Sequence, residues 1–413
     1  MRTPLTFTLC LIFFTGSGLL RAQTNPNTCF PERSYPVQSL DSEDFSDLKF
    51  LKPLLHDKPI VLLGESSHGV GDYYSMKSRL IQYLYQECGY EVIALESGLA
   101  DIYTKYTQID SLSAVELRNK TVFANFRCHE IMPLFELIKS SANSERPLLY
   151  SGFDSQNFTA SLDLTHELLA HYYGKTADCL ILNLEKYYNF PPLMWKADKA
   201  PLFRLSDTII GSARALQKLM LASERDIKKD FNISGQHFKI LMHALKNHEQ
   251  AVTLDWNTEN PSALRDSLMA ENLIWLIQEL YPGKKFIVWG HNTHIDKGHT
   301  IELLSKNLGY YLRRRFGDQC YHIGLYAQSG STYVWWEKSN RRIDSHEADD
   351  IEVLTDKYPI TFVDFRENKS NCKWLRETVQ GYEMEFGRKL PFVPLERYDA
   401  IINFREVKAA TYK

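Results

Sequence analysis

Pro59-Ile60-Val61-Leu62-Leu63-Gly64-Glu65-Ser66-Ser67-His68-Gly69 is the stretch whose reading decides the fold. A short run of Leu and β-branched residues bounded by Pro and Gly reads as a buried strand. Polar residues stand at its carboxyl end, ahead of Tyr73, Met76, Leu80, Ile81, Leu84 and Tyr85 at helical spacing. That spacing predicts a helix from Val70 to Cys88, ended by Gly89. In an open α/β sheet, the carboxyl edge of the strands is where ligands and chemistry collect. A carboxylate and an imidazole three residues apart at that edge can share one substrate or one proton.

The pattern recurs outward along the chain. Glu91-Val92-Ile93-Ala94-Leu95 is closed by Glu96, and Leu148 to Phe153 leads to Asp154. Lys285 to Gly290 runs into His291-Asn292-Thr293-His294. If these strands are parallel neighbours, Glu65, His68, Glu96, Asp154, His291 and His294 converge on one crevice. Taken singly, each also reads as a helix cap or a residue of a solvated loop. Asp154 suits an N-cap ahead of Ser155, and Arg265-Asp266 suits a surface ion pair worth little. Lys77, on the predicted helix, faces either the pocket or solvent. Six such residues at four strand ends are harder to explain as caps.

From 45 to 160, strands alternate with helical stretches, which is the signature of a parallel sheet. From 161 to 278 the apolar residues keep helical spacing and no strand is legible, so this segment is expected to be an inserted helical lid. The α/β pattern returns from 279 to 413. There a helix over Glu302–Phe316 precedes strands over Tyr321–Ala327, Ser331–Trp336, Ile360–Phe365 and Ala400–Phe404. A second short helix is expected over Cys128–Lys139, and Asn25–Asp44 reads as an irregular lead-in. The expected fold is α/β: a mostly parallel sheet flanked by helices, with an all-helical subdomain over its carboxyl edge.

Arg2 followed by the apolar run Leu5–Leu20 is too short and Gly-broken to span a bilayer. With Leu20-Arg21-Ala22 before Gln23, it reads as a signal peptide over 1–22 and predicts export to the periplasm or beyond, with no stable membrane anchor. The formal charge of −3 comes without any basic block, which argues against a nucleic-acid partner. Six cysteines remain after Ala22, an even number that permits disulfides, and none has the CxxC spacing of a zinc knuckle. Cys88 and Cys320 sit in apolar contexts and read as buried small residues.

Three chemistries fit the constellation, in this order. An imidazole, which titrates near neutrality, can take a proton from water while a carboxylate fixes its tautomer. His68 beside Glu65 or Glu96 supplies those parts, and the remaining imidazoles or a cation would stabilise an oxyanion. Alternatively, Glu65-x-x-His68 and His291-x-x-His294 offer four ligands for zinc or manganese. A Ser66 or Ser67 nucleophile comes last, because no Gly-x-Ser-x-Gly elbow is present.

In combination, Gly64-Glu65-Ser66-Ser67-His68-Gly69, Leu95-Glu96, Gly152-Phe153-Asp154, Arg265-Asp266 with Met269-Ala270, and Trp289-Gly290-His291-Asn292-Thr293-His294 resemble the erythromycin esterase family. The resemblance covers roughly residues 50 to 330. It implies an α/β domain with a helical second domain and a cleft between them, hydrolysing a macrolactone-type ester. Carried over, His68 is the general base, and Glu65, Glu96, His291 and His294 complete the site. Lys77 stands where the family commonly has Arg; it keeps the charge without the planar fork. Asp154 and Arg265 are the expected substrate-binding residues. The expected partner is a small-molecule ester, and no cofactor is implied beyond the divalent metal of the second chemistry. The competing readings are a metal-dependent hydrolase of another envelope ester or amide, and a ligand- or metal-binding protein without turnover.

Overall fold

The computed structural model describes residues 29–156, 160–188, 200–256, 261–300, 305–343, 346–366 and 372–412. The expected signal peptide over 1–22 lies outside them. In chain order the strands are β1 (Ser34–Pro36), β2 (Ile60–Leu63), β3 (Val92–Gly98), β4 (Leu149–Asp154), β5 (Phe286–Trp289), β6 (His299–Thr300), β7 (Ser305–Lys306), β8 (Cys320–Ala327), β9 (Gly330–Val334), β10 (Ser339–Ile343), β11 (Ile360–Asp364), β12 (Val379–Glu383), β13 (Arg388–Phe392) and β14 (Ala400–Phe404).

Eight of them form one sheet in the order β1-β11-β14-β8-β2-β5-β3-β4. Every pairing from β14 to β4 is parallel, and β11 and β1 extend that edge through antiparallel pairs. The fold is thus the expected α/β architecture, a mostly parallel sheet flanked by helices. The central strands are apolar throughout because both faces are covered. Val61 and Leu63, Ile93 and Leu95, and Ile287 and Trp289 enter the core on one face. Ile60 and Leu62, Val92 and Ala94, and Phe286 and Val288 enter the core on the other. The period of two along each strand sets which side chains share a face.

The helix after β2 spans Gly71–Cys88 and ends where Gly89 takes φ 74° and donates to Leu84 O. That left-handed position favours glycine. Between β4 and β5 the described residues are helical, from Ala160–Tyr173 to Pro261–Trp275, and hold no strand. Leu168, Leu169, Leu216, Leu241 and Leu245 form a separate apolar core for these helices. No helix among the described residues is long and apolar enough to cross a membrane.

Several sequence expectations need correction. The Cys128–Lys139 helix runs instead over Met132–Ser141, with Pro133 in its first turn, where its missing N–H costs nothing. The helix expected over Glu302–Phe316 begins only at Leu308. Its start is fixed from afar, since Leu308 N donates to Asp266 Oδ1 at 3.0 Å, while β6 and β7 pair just before it. The lead-in contributes the edge strand β1, where Pro36 is tolerated. β9 falls on the strand expected over Ser331–Trp336, while its partner β10 and the hairpin β12–β13 lie beyond the expected strands. Cys29 and Cys372 form a disulfide; Cys320 is buried, while Cys88 is only partly so.

Candidate active site

β2, β5, β3 and β4 lie side by side and parallel, so their carboxyl ends form one edge. Glu65 and His68 follow β2, Glu96 lies near the end of β3, Asp154 closes β4, and His291 follows β5. The pairing of β3 with β4 shifts register between Leu95 and Gly98. Such an irregularity re-aims a side chain, and Glu96 is inside it. Gly64 has a separate reason to be glycine: a Cβ there would lie 2.1 Å from Asn292 Oδ1. Asn292 needs that space because its amide bridges to β8, donating to Leu325 O at 2.9 Å and accepting from Leu325 N at 3.2 Å. The conspicuous asparagine is therefore a clasp between strands, buried below the edge.

One half of the site centres on His68. Its Nδ1 lies 3.0 Å from Glu65 Oε1, and a carboxylate can only accept, so Nδ1 carries the hydrogen and Nε2 keeps its lone pair. The other Glu65 oxygen forms an ion pair with Lys77 Nζ. Lys77 is fully buried behind Glu65, 4.6 Å over the Trp289 ring. Burial pushes its ammonium well below the ordinary lysine range, against the pull of Glu96. Ser66 Oγ is engaged with Tyr73 Oη at 3.1 Å and Ser67 Oγ with Thr332 Oγ1 at 2.6 Å. Both hydroxyls thus hold the loop, which leaves the serine-nucleophile reading without a Ser–His contact.

The backbone of His68 is gripped by Tyr74 nearby and by two residues far away in sequence. Its N–H donates to Glu385 Oε2 at 3.1 Å, and its carbonyl accepts from Tyr74 and Tyr412 hydroxyls. Tyr412 belongs to a strap that runs along the loop: Lys408 O accepts from Gly71 N, Ala410 N donates to Gly69 O, and Thr411 O accepts from His129 N. Phe126 packs edge-on to the imidazole, with centroids 5.4 Å apart.

The other half centres on Glu96. Its Oε1 lies 3.1 Å from Arg265 Nη2 and 3.3 Å from His294 Nε2, while Oε2 accepts from His291 N at 2.9 Å. Arg265 Nη2 also reaches Asp154 Oδ2 at 2.5 Å, so Arg265-Asp266 is not a surface pair. Asp154 also accepts from Gln156 N through Oδ1 at 3.1 Å. Asp266 turns the other way and takes His294 Nδ1 at 2.8 Å. Burial opposes charge on His294, but Asp266 and Glu96 more than reverse it and raise the imidazole to about 10. Arg265 Nη1, 3.3 Å from Nε2, works against that proton, and two carboxylates outweigh one guanidinium. Burial alone would raise the Glu96 carboxyl; His294, Arg265 and His68 hold it well below its ordinary range.

His291 takes the opposite state. Burial, then the neighbouring His68 and His294, push it well below the ordinary imidazole range. It is neutral. Its Nδ1 accepts from Thr293 N at 3.3 Å, so the hydrogen is on Nε2, which is buried without a protein partner. The His68 and His291 rings stand 4.9 Å apart.

All eight residues singled out in the sequence therefore belong to this one charged cluster. The side chains of Arg265, His68 and His294 are 22%, 19% and 14% exposed, whereas those of Glu65, Lys77, Glu96 and Asp154 are at most 5% exposed. The first three are the groups a substrate can meet. Glu65, His68, His291 and His294 do not gather as a ligand set. Among the described residues, one group of three or more His, Cys, Asp or Glu has ligand atoms within 4.8 Å of one another, and it lies elsewhere. Lys77 and Arg265 already neutralise the carboxylates a dication would need. Asp266, Thr293, Glu385 and Tyr412 were not read from the sequence. Asp266 and Thr293 left a signal, as members of quoted motifs; Glu385 and Tyr412 left none.

The chain was compared with proteins of known family and structure. The sequence model of the family described as Erythromycin esterase matches residues 85–407. The Bacillus subtilis (strain 168) protein named "Putative hydrolase YbfO" is 29% identical over 430 residues, covering 95% of this chain and 94% of that protein. An Escherichia coli protein named erythromycin esterase type II is 21% identical over 314 residues, 70% of this chain and 74% of that one. Among solved structures, an erythromycin esterase mutant, EreC, in its open conformation superposes with a TM-score of 0.60 at 16% identity. That superposition covers 88% of this chain and 94% of the other, and speaks to the fold alone.

Proposed function

This chain belongs to the erythromycin esterase family and is by that kinship a hydrolase; we propose that it cleaves carboxylic esters of the macrolactone type with His68 as general base. The observation that carries this reading is the 3.0 Å contact of His68 Nδ1 with the buried Glu65 carboxylate. It leaves Nε2 as the proton acceptor on a partly exposed ring. Lys77 and Glu385 act as positioning residues, one through Glu65 and the other through the His68 backbone.

In the reaction, Nε2 takes a proton from water as the water oxygen bonds to the carbonyl carbon. The carbonyl electron pair moves onto its oxygen, where the partly exposed Arg265 guanidinium supplies a fixed donor. The pair then returns, the carbon–oxygen bond to the alcohol breaks, and Nε2 gives its proton to the leaving alkoxide. His294, held protonated between Asp266 and Glu96, keeps its own charge through the cycle. Asp154 and Glu96 fix the Arg265 fork that meets the substrate.

We extend the reading to an exported enzyme with a small-molecule substrate and no nucleic-acid partner. The apolar segment Leu5–Leu20 supports export, as does the Cys29–Cys372 disulfide, a bond that persists in oxidising compartments. The test is mass spectrometry of erythromycin incubated with the purified mature protein, with and without EDTA, beside His68→Ala. A product heavier by one water that needs His68 and ignores EDTA is the expected result. Equal turnover by His68→Ala overturns the base, and loss in EDTA with recovery on adding metal moves the reaction to a metal ion.

A further inference from the structure

A second buried cluster lies away from the charged edge. His346 follows β10, and Asp350 and Glu352 start the short helix Ile351–Leu354. All three side chains are at most 3% exposed. His346 Nδ1 stands 3.1 Å from Asp350 Oδ2 and 3.6 Å from Glu352 Oε2. One ligand atom from each residue falls within 4.8 Å of the other two. Asp350 Oδ1 and Glu352 Oε2 are buried with no hydrogen-bond partner.

That arrangement is costly as a plain core. An unpartnered buried carboxylate oxygen carries a desolvation penalty with nothing to offset it. The other oxygens are occupied: Glu352 Oε1 accepts from Tyr382 N at 2.7 Å, and Asp350 Oδ2 accepts from Glu347 N at 2.8 Å. One cation reaches the group, Lys389 Nζ at 2.9 Å from Asp350 Oδ2. One ammonium faces two carboxylates, so the group is short of positive charge.

We propose that His346, Asp350 and Glu352 form a binding site for one divalent cation of the zinc class, separate from the catalytic edge. An imidazole nitrogen and two carboxylate oxygens are the donor set zinc takes, at about 2.0–2.2 Å from each. Tetrahedral ligands at that distance are roughly 3.3 Å apart, and the two shortest separations here, 3.1 and 3.6 Å, bracket this. Lys389, whose own side chain is 28% exposed, is the partner of this buried group that reaches solvent. Binding requires His346 to present its Nδ1 lone pair and the two carboxylates to present one oxygen each. The ion would replace the Lys389 ammonium as the counter-charge.

Such an ion would tie the 346–352 segment to the β12–β13 hairpin through the Tyr382 backbone. The same hairpin continues into Glu385, the carboxylate that holds the His68 N–H. The site is thus a structural pin beneath the catalytic loop, and no step of the hydrolysis runs through it.

The test strips the full mature protein with EDTA and titrates it with zinc chloride alone, reading stoichiometry by calorimetry and unfolding temperature by scanning fluorimetry. One zinc per chain and a rise of several degrees are expected. Both should disappear in Glu352→Gln and His346→Gln and persist in His68→Ala. Lys389→Met, which removes the competing cation, should tighten binding. No stoichiometric zinc in the wild type overturns the proposal. So does zinc that survives both cluster variants but is lost in His68→Ala, which would place it at the catalytic edge. If a cluster variant fails to fold, the wild-type stoichiometry and its persistence in His68→Ala decide the question. Because these readouts need no turnover, they are independent of whether any ester is cleaved.

Discussion

The two halves of the charged edge use the same residue types to opposite ends. Around Glu96, two further carboxylates, a guanidinium and an imidazolium interlock, and the protonation of His294 is fixed well away from neutrality. Around His68, one carboxylate meets the imidazole ring with Lys77 behind it, and the loop is otherwise held by hydroxyls, by backbone and by Glu385 on the His68 N–H. The contrast separates a group left free to take up a proton from groups whose charge is locked. Counting ionisable residues in a crevice does not make that distinction; their partners do.

His68→Ala should break the comparison most sharply. It removes the one group free to accept a proton, and hydrolysis should fall by roughly 10²–10⁴-fold while far-UV circular dichroism stays unchanged. Arg265→Met should act on the locked half and show first in stability. It leaves Asp154, fully buried, without its cation, a change that costs about 3–5 kcal/mol and is read by urea unfolding. If the two variants gave the same profile, the halves would not be distinct.

A pH series sharpens the locked half further. His294 is raised from 6.5 to about 10 in the folded protein. Folding therefore favours its protonated form. The stability it contributes is whole below about 6.5, shrinks as pH rises, and is gone above about 10. Asp266→Asn removes the first carboxylate behind that shift, so the gap in unfolding temperature between wild type and Asp266→Asn should narrow from pH 6.5 to pH 10. A gap that widens over this range would contradict the assignment. The smallest effect belongs to the neutral clasps: Ser67→Ala strands the Thr332 hydroxyl and should cost about 1–2 kcal/mol, measured in the same urea assay, with turnover reduced only modestly.

Much of this was legible in the sequence because it is local. A buried parallel strand announces itself as an unbroken apolar run, and Gly89 marks a helix end by conformation alone. The strand ends carried Glu65, Glu96, Asp154 and His291 on their faces. What was illegible depends on contacts across tens to hundreds of residues. Nothing near Leu308 says that Asp266 will cap its helix, and nothing near Glu385 says that it will hold the His68 N–H. Asn292 was read within a catalytic motif, yet its work is to bridge strands, because the Gly64–Asn292 fit exists only once β2, β5 and β8 are side by side. The β12–β13 hairpin carries little alternating pattern and was missed for that reason.

The strap through Tyr412 has a consequence in time. His68 is made early in synthesis, but the hydroxyl that closes on its carbonyl arrives 344 residues later. Until residues 408–412 have emerged and laid themselves along Gly69 and Gly71, the His68 loop lacks one of its walls. A nascent chain can therefore complete its central strands well before this loop is closed.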